Sequence, residues 1–187
     1  QSLHAGLTAV AQGADPALIY HSNAQLWASH PFNQLQGLEA IRRVWSQLRY
    51  ALPDMQRRDQ IFVAGNSKAD ARMPDDLEGR VLVASMGHYQ GSFLNDLCGI
   101  PATHGVVNLR VCEVHHLVEG KIAQSYVMLD LLELMGQAGC WPIAPSLGAE
   151  GMWSGPATND GVRLHTSDPA GGQTAFDTVI AMHNALG

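Results

Sequence analysis

The chain has few basic residues and no basic run: 11 Lys and Arg stand against 17 Asp and Glu, for a net charge of -6. That balance argues against nucleic acid or an anionic membrane surface as partner. No apolar stretch approaches the roughly 20 residues that a membrane-spanning helix needs. No charged-then-apolar leader follows Gln1, so no export signal is visible. Cysteine is scarce. Cys98, Cys112 and Cys140 are odd in number and show no Cys-x-x-Cys spacing, which favours reduced thiols in a cytoplasmic protein over a disulfide framework or a zinc site. The nine histidines are scattered, and His115 and His116 fall on opposite faces of a strand, so no metal site is expected. What is present suits an ordinary folded protein: 187 residues, 46% apolar and 15% charged, can bury one core, with or without an appendage.

The order of elements is uneven. Residues 1–20 read as a helical approach interrupted at Gly13 and Asp15-Pro16, and residues 24–29 as a short strand carrying Trp27. Leu38, Ile41, Trp45, Leu48 and Leu52 then recur at helical spacing, with Arg42, Arg43, Ser46, Gln47 and Arg49 on the other face, and Pro53 ends the helix. From there to Asp130 the chain reads as sheet: strands over 55–65 and 80–91, a polar excursion over 66–79, a Gly/Pro loop over 92–105, and a long hairpin. Helices first and an antiparallel sheet afterwards predict an α+β fold. Beyond it, residues 140–167 form a Pro/Gly-rich arm, and 174–186 a helix behind a Ser167-Asp168-Pro169 start signal. That helix has no core of its own. It must dock on the main domain or another chain, or open a second domain; the division expected is 1–139 and 140–187.

The hairpin carries the chemistry. Its two alternating runs meet at Glu119-Gly120, and the second ends in Asp130, flanked by Met128, Leu129, Leu131 and Leu132. A carboxylate in apolar surroundings has a raised pKa and can pass protons near neutral pH. The structural alternative is that Asp130 caps a helical turn starting at Leu131.

Several short motifs stand in order around it: Gly37 before the amphipathic helix, Leu52-Pro53-Asp54 after it, Gly87-His88-Tyr89-Gln90-Gly91, Gly99-Ile100-Pro101-Ala102-Thr103, and Glu119-Gly120-Lys121-Ile122 followed by Tyr126 and Asp130. Over residues 20–139 this series resembles the SnoaL-like polyketide cyclases of the nuclear transport factor 2-like superfamily. The resemblance implies a cone: a strongly curved antiparallel (mixed) sheet wrapped around N-terminal helices, with a pocket at its open end. It also implies intramolecular aldol ring closure without metal or cofactor, although other members are isomerases, dehydratases, hydrolases or binders. The Pro/Gly-rich tail is similar to that of longer tandem proteins, in which a second cone follows. Two departures matter. The family's Gly-Thr-His-x-Gly is Gly87-His88-Tyr89-Gln90-Gly91 here, which moves the imidazole to the opposite strand face, and the closing-strand Trp is Tyr126.

Register decides who works with Asp130. With a two-residue turn, Val118 pairs with Lys121, and the face of Asp130, Met128 and Tyr126 also carries Leu109, Val111, Glu113 and His115. With a three-residue turn bulged at Gly120, that face carries Arg110, Cys112, Val114 and His116. The resemblance favours His116 as partner of the acid, with His115 as its rival. Tyr126, Met128 and Trp27 are expected to wall the pocket; Tyr20, His30 and His88 are further candidates that no spacing ties to Asp130. The chemistry expected is acid/base work on a small hydrophobic carbonyl compound, with Asp130 and a histidine handling the proton. A non-catalytic binder of small hydrophobic ligands is the competing expectation. A homodimer is expected as well, because in the family it resembles the outer face of the sheet is commonly an interface.

Overall fold

The computed structural model describes residues 2–68, 78–145, 157–158, 160–164 and 167–186. Much of the expected excursion over 66–79 and of the arm over 140–167 lies outside the described residues. Helix α1 (Leu3–Ala11) and a 3₁₀ turn (Pro16–Leu18) lead into β1 (Tyr20–Ala28), a short β2 (Gln34–Gln36) and α2 (Leu38–Ala51). Strands β3 (Gln56–Asn66), β4 (Val81–Ser92), β5 (Val106–Val118) and β6 (Lys121–Leu129) follow, then α3 (Leu131–Gln137) and α4 (Pro169–Leu186). The six strands form one sheet in the order β2-β1-β6-β5-β4-β3. Only β1 and β6 run parallel; every other pair is antiparallel. The fold is therefore α+β with a mixed, curled sheet, as the sequence predicts.

The helix spacing holds. Ile41, Val44, Trp45 and Leu48 bury the inner side of α2 against the sheet, while Arg42 on its outer side grips Asp15 through Nε and Nη2 at 3.0 and 2.9 Å. Leu7 and Val10 of α1 join the same core as Leu109, Val111, Ile122 and Leu129 of the hairpin. Each such side chain contributes about 1.5–3 kcal/mol on leaving water.

Two irregularities set the faces of the strands. At β3, the pairing with β4 shifts between Asp59 and Ile61, opposite Gly87. A Cβ at Gly87 would sit 2.1 Å from the Arg58 carbonyl oxygen, so only glycine admits this close approach. The bulge places Arg57, Asp59 and Phe62 together on the concave side, each with little exposure. In the hairpin, Glu119 and Gly120 both take positive φ, 49° and 76°, and Val118 pairs with Lys121, as a two-residue turn requires. One step later the register slips: Leu117 faces Ile122 but His116 faces Gln124. The bulge at Ala123 turns Ser125, Val127 and Leu129 inward and Tyr126 and Met128 outward. The turn is thus the two-residue one, whereas the faces are those of the bulged alternative.

Helix α4 starts five residues earlier than its periodicity suggests, at Pro169 behind Asp168, whose Oδ1 accepts from the Gly171 amide at 2.9 Å. None of its residues is buried. It touches the rest of the described chain through Lys68, whose ammonium lies 5.4 Å from the Phe176 ring centroid. Just before it, Val162 adds a parallel bridge to the free edge of β3 at Phe62.

Candidate functional site

A strand that packs on a core should present only apolar side chains inward, and β5 departs from this at two places. Val107, Leu109 and Val111 face in, and the same phase continues into Glu113 and His115, both buried. Opposite them β4 turns in Ser85 and Tyr89, β3 Arg57, β6 Ser125 and β1 Tyr20, all almost inaccessible to solvent. Most of these polar groups find partners in one another, while His115 Nε2 and Asp59 Oδ1 have no hydrogen-bond partner. Arg57 Nη1 lies 2.6 Å from Glu113 Oε2, and its Nε donates to Asp59 Oδ2 at 2.8 Å. Its Nη2 donates to Ser85 Oγ at 2.8 Å, and Ser85 donates in turn to Glu113 Oε2 at 2.9 Å. The Tyr89 hydroxyl donates to Glu113 Oε1 at 2.7 Å. His115 Nδ1 stands 2.8 Å from Ser125 Oγ, and its Nε2 3.6 Å from Glu113 Oε2. His4 of α1 reaches Asp59 Oδ2 at 3.1 Å and ties the helix to the far end of the cluster.

The electrostatics follow from this arrangement. Burial alone would raise the Glu113 carboxyl, but the Arg57 guanidinium, then His115 and the Tyr89 hydroxyl, outweigh it and hold the group well below the usual carboxylate range. Burial, then the Glu113 charge, push both Tyr20 and Tyr89 up. Arg57 is raised because Glu113, Tyr89 and Asp59 overcome its desolvation. At neutral pH Glu113 is thus held in its ionised form and the Tyr20 and Tyr89 phenols in their protonated form.

A cavity of about 20 Å³ lies beside the cluster, lined by Tyr20, Leu26, Trp45, Tyr89, Glu113 and Leu129 among others; this is room for about one water. Across α2 an open groove of about 770 Å³ is lined by Phe32, Leu35, Arg43, Tyr50 and Leu97, and Val44 lines both spaces.

The residues singled out from the sequence divide between the two faces of the sheet. Tyr20 and His115 lie inside. Asp130 does not: its Oδ1 accepts from the Glu133 amide at 3.0 Å and caps α3, its Oδ2 is 3.7 Å from Arg110 Nη1, and about a third of its side chain is exposed. The capping alternative is the one found. His116 faces out opposite Gln124, because the alternation of β5 puts it on the side away from Glu113 and His115. Tyr126 and Met128 are 53% and 64% exposed. With Trp27, which stacks on Tyr126 at 4.9 Å between centroids, they line a groove of about 330 Å³ on the outside of the sheet. His88 also faces outward, paired with Arg110 on β5; burial and then the Arg110 charge lower its pKa against the pull of Glu133. His30 is exposed in the loop after β1.

Arg57, Ser85, Tyr89, Glu113 and Ser125 were not among the expected site residues. The signal for Glu113 was its phase: it continues the apolar alternation of Val107, Leu109 and Val111, whereas Asp130 follows a strand whose phase a bulge had already changed. Among the described residues, no group of three or more His, Cys, Asp or Glu side chains is placed to hold a metal ion.

No protein-family model matches the chain, and no curated protein matches its sequence. Solved structures do match its fold. It is similar to IdmH from Streptomyces antibioticus, a proposed polyketide cyclase, at 18% identity over 73% of this chain and 95% of that one, with a TM-score of 0.56. TsrD from Streptomyces laurentii matches at 18% identity over 74% and 92%, TM-score 0.54. A proposed polyketide cyclase from Pseudomonas putida kt2440 matches at 15% identity over 72% and 94%, TM-score 0.51. At these identities the likeness shows the fold alone: a curled mixed sheet packed on helices, shared with those proteins.

Proposed function

We propose that this protein performs cofactor-free acid/base chemistry on a small hydrophobic carbonyl compound inside its cone, as an intramolecular aldol ring closure or a related enolisation. Tyr20, Tyr89 and Glu113 are the groups that face the substrate. The observation that carries this reading is a carboxylate and two phenols opening on a cavity otherwise walled by Leu26, Leu48, Val127, Leu129 and Trp45. Two phenols kept protonated by burial serve as donors to a carbonyl oxygen and to the enolate that forms from it, Tyr89 by turning its O–H away from Glu113 Oε1. The closed cavity holds about one water, so binding moves side chains. Val44, shared with the groove across α2, is the one whose displacement joins the two spaces. The kind of compound named for the matched cyclases, a polyketide, fits this chemistry.

The test is ring closure of acetonylacetone to a hydroxycyclopentanone, which loses water to give a methylcyclopentenone, followed by NMR together with a panel of longer polyketones. The wild-type protein is expected to accelerate closure of at least one of them, and Tyr20→Phe to lose about 10²-fold or more in turnover. Compounds that are retained on native mass spectrometry yet never converted would replace the enzyme reading by that of a binder. One observation favours this second reading: Arg57 keeps Glu113 from exchanging protons near neutral pH, which suits a group that orients a ligand.

The outer groove supports a homodimer. Trp27, Tyr126 and Met128 expose an apolar patch on the convex face, and such patches commonly mark interfaces. The cysteines Cys98, Cys112 and Cys140 are all free, which supports a reducing compartment.

A further inference from the structure

The two spaces that share Val44 differ in what they can hold. The inner cavity, at about 20 Å³, has room for about one water, whereas the groove across α2, at about 770 Å³, is the size of a site for a small organic molecule. Resting on the reading above for the chemistry at the inner end, we propose that this groove binds the rest of the substrate, and that the substrate is an apolar chain ending in a carboxylate that Arg43 receives.

The groove is built before anything binds. Ala40, Arg43, Gln47 and Tyr50 line it and recur at three- and four-residue spacing, so they make one stripe along α2, about 15 Å long at the helical rise. One wall is the turn after β1, where the Phe32 amide donates to the Ser29 carbonyl at 3.1 Å and the Ala28 amide to the Asn33 carbonyl at 2.8 Å. The other wall is the turn at Leu97, whose amide donates to the Ile100 carbonyl at 3.1 Å while the Ile100 amide returns a bond at 2.9 Å. Asn95 Nδ2 donates to the Tyr50 carbonyl at 2.7 Å and ties this second wall to the end of α2. Walls held by such bonds need little ordering when a ligand arrives.

The side chains choose the ligand. Phe32, Leu35, Val44 and Leu97 offer apolar contact along the groove. The three arginines of α2 differ in what they already hold. Arg42 grips Asp15 and Glu39, and Arg49 donates to the Val10 carbonyl at 3.1 Å, whereas Arg43 makes no hydrogen bond or ion pair among the described residues. An uncommitted guanidinium beside an apolar groove suits a carboxylate, which it meets with two parallel N–H···O bonds. The acid that lines the same groove, Asp96, accepts from the Ala102 amide at 2.9 Å through Oδ1. Its charge repels an anionic end, so the chain lies one way round, with its carboxylate at Arg43. The body of the chain then passes Val44, where a ketone enters the cavity that holds the two phenols.

The experiment measures binding of decanoate and of decanol to the full chain by calorimetry, beside closure of acetonylacetone. The wild type is expected to bind decanoate saturably, to prefer it to decanol by about fivefold, and to lose that preference as salt is raised. Arg43→Gln is expected to erase the preference, and Ala40→Trp, which fills the groove from the α2 side, to abolish binding of both. Equal wild-type affinity for the two compounds overturns the proposal even if no variant folds, and so does decanoate binding unchanged in Arg43→Gln or in Ala40→Trp. Absence of saturable decanoate binding overturns it as well; a dimer in light scattering that Ala40→Trp then splits would make a second copy the occupant. If decanoate fails to bind while acetonylacetone closure still requires Tyr20, the proposed function stands and the groove assignment alone falls. If decanoate binds as expected while no polyketone is converted, the groove assignment stands and the catalytic reading falls.

Discussion

The two faces of the β5–β6 hairpin carry equally suggestive residues and treat them in opposite ways. The convex face has Asp130, His116, Tyr126 and Met128. There the acid is tied to a helix end and to Arg110, and the aromatic and the thioether lie open to solvent. The concave face has Glu113, His115, Ser125 and Leu129, where every polar group is buried and most find partners within the cluster. A charged pair removed from water costs several kcal/mol per ion, and breaking it by removing one partner costs more than never having built it. The inner network is therefore expensive to lose, and the outer residues are cheap to change. That contrast sets the buried polar network of the concave face apart from the exposed residues of the convex one.

The largest effect expected is on Arg57→Leu. This change strands Glu113 and Asp59 in the interior and should destabilise the fold by about 3–5 kcal/mol in denaturant unfolding; a loss below about 1 kcal/mol would mean that the cluster is more hydrated than its burial implies. Next comes the oligomeric state. Tyr126→Glu combined with Met128→Glu should turn a dimer into a monomer in light scattering, with unfolding little changed; a dimer that survives both charges lies on another surface.

Acid should come third. The Glu113 carboxyl is held below its usual value in the folded chain, so its contribution is fully present above the ordinary carboxylate pKa of about 4.3 and is lost as pH falls from there toward the folded value. Unfolding midpoints of the wild type should drop through that window more steeply than those of Glu113→Gln. Equal slopes would contradict the depressed value. The smallest effect belongs to Asp130→Asn: asparagine also caps helices, so stability should fall by less than about 1 kcal/mol and turnover should stay as it was.

Much of this was legible in the sequence, and the limits have physical causes. The apolar spacing from Leu38 to Leu52 and the Glu119-Gly120 turn depend on local chemistry, and both hold. Motif order carried the cone fold. What local chemistry does not encode is the Ala123 bulge: Lys121-Ile122-Ala123-Gln124 reads as even alternation, and one extra residue reverses every side chain after it. The choice between His115 and His116 turned on that residue, as did the orientation of Asp130. Arg57 was hidden for a similar reason, since it stands among polar neighbours on a strand bulged opposite Gly87. Glu113 was more accessible, because it keeps the phase of Val107, Leu109 and Val111.

The claim on which the rest depends is that chemistry belongs to the concave face. Turnover of acetonylacetone, measured side by side in Tyr20→Phe and Asp130→Asn, tests it most directly. The account predicts a loss of about 10²-fold in the first and none in the second; an intact Tyr20→Phe beside an inactive Asp130→Asn would contradict it.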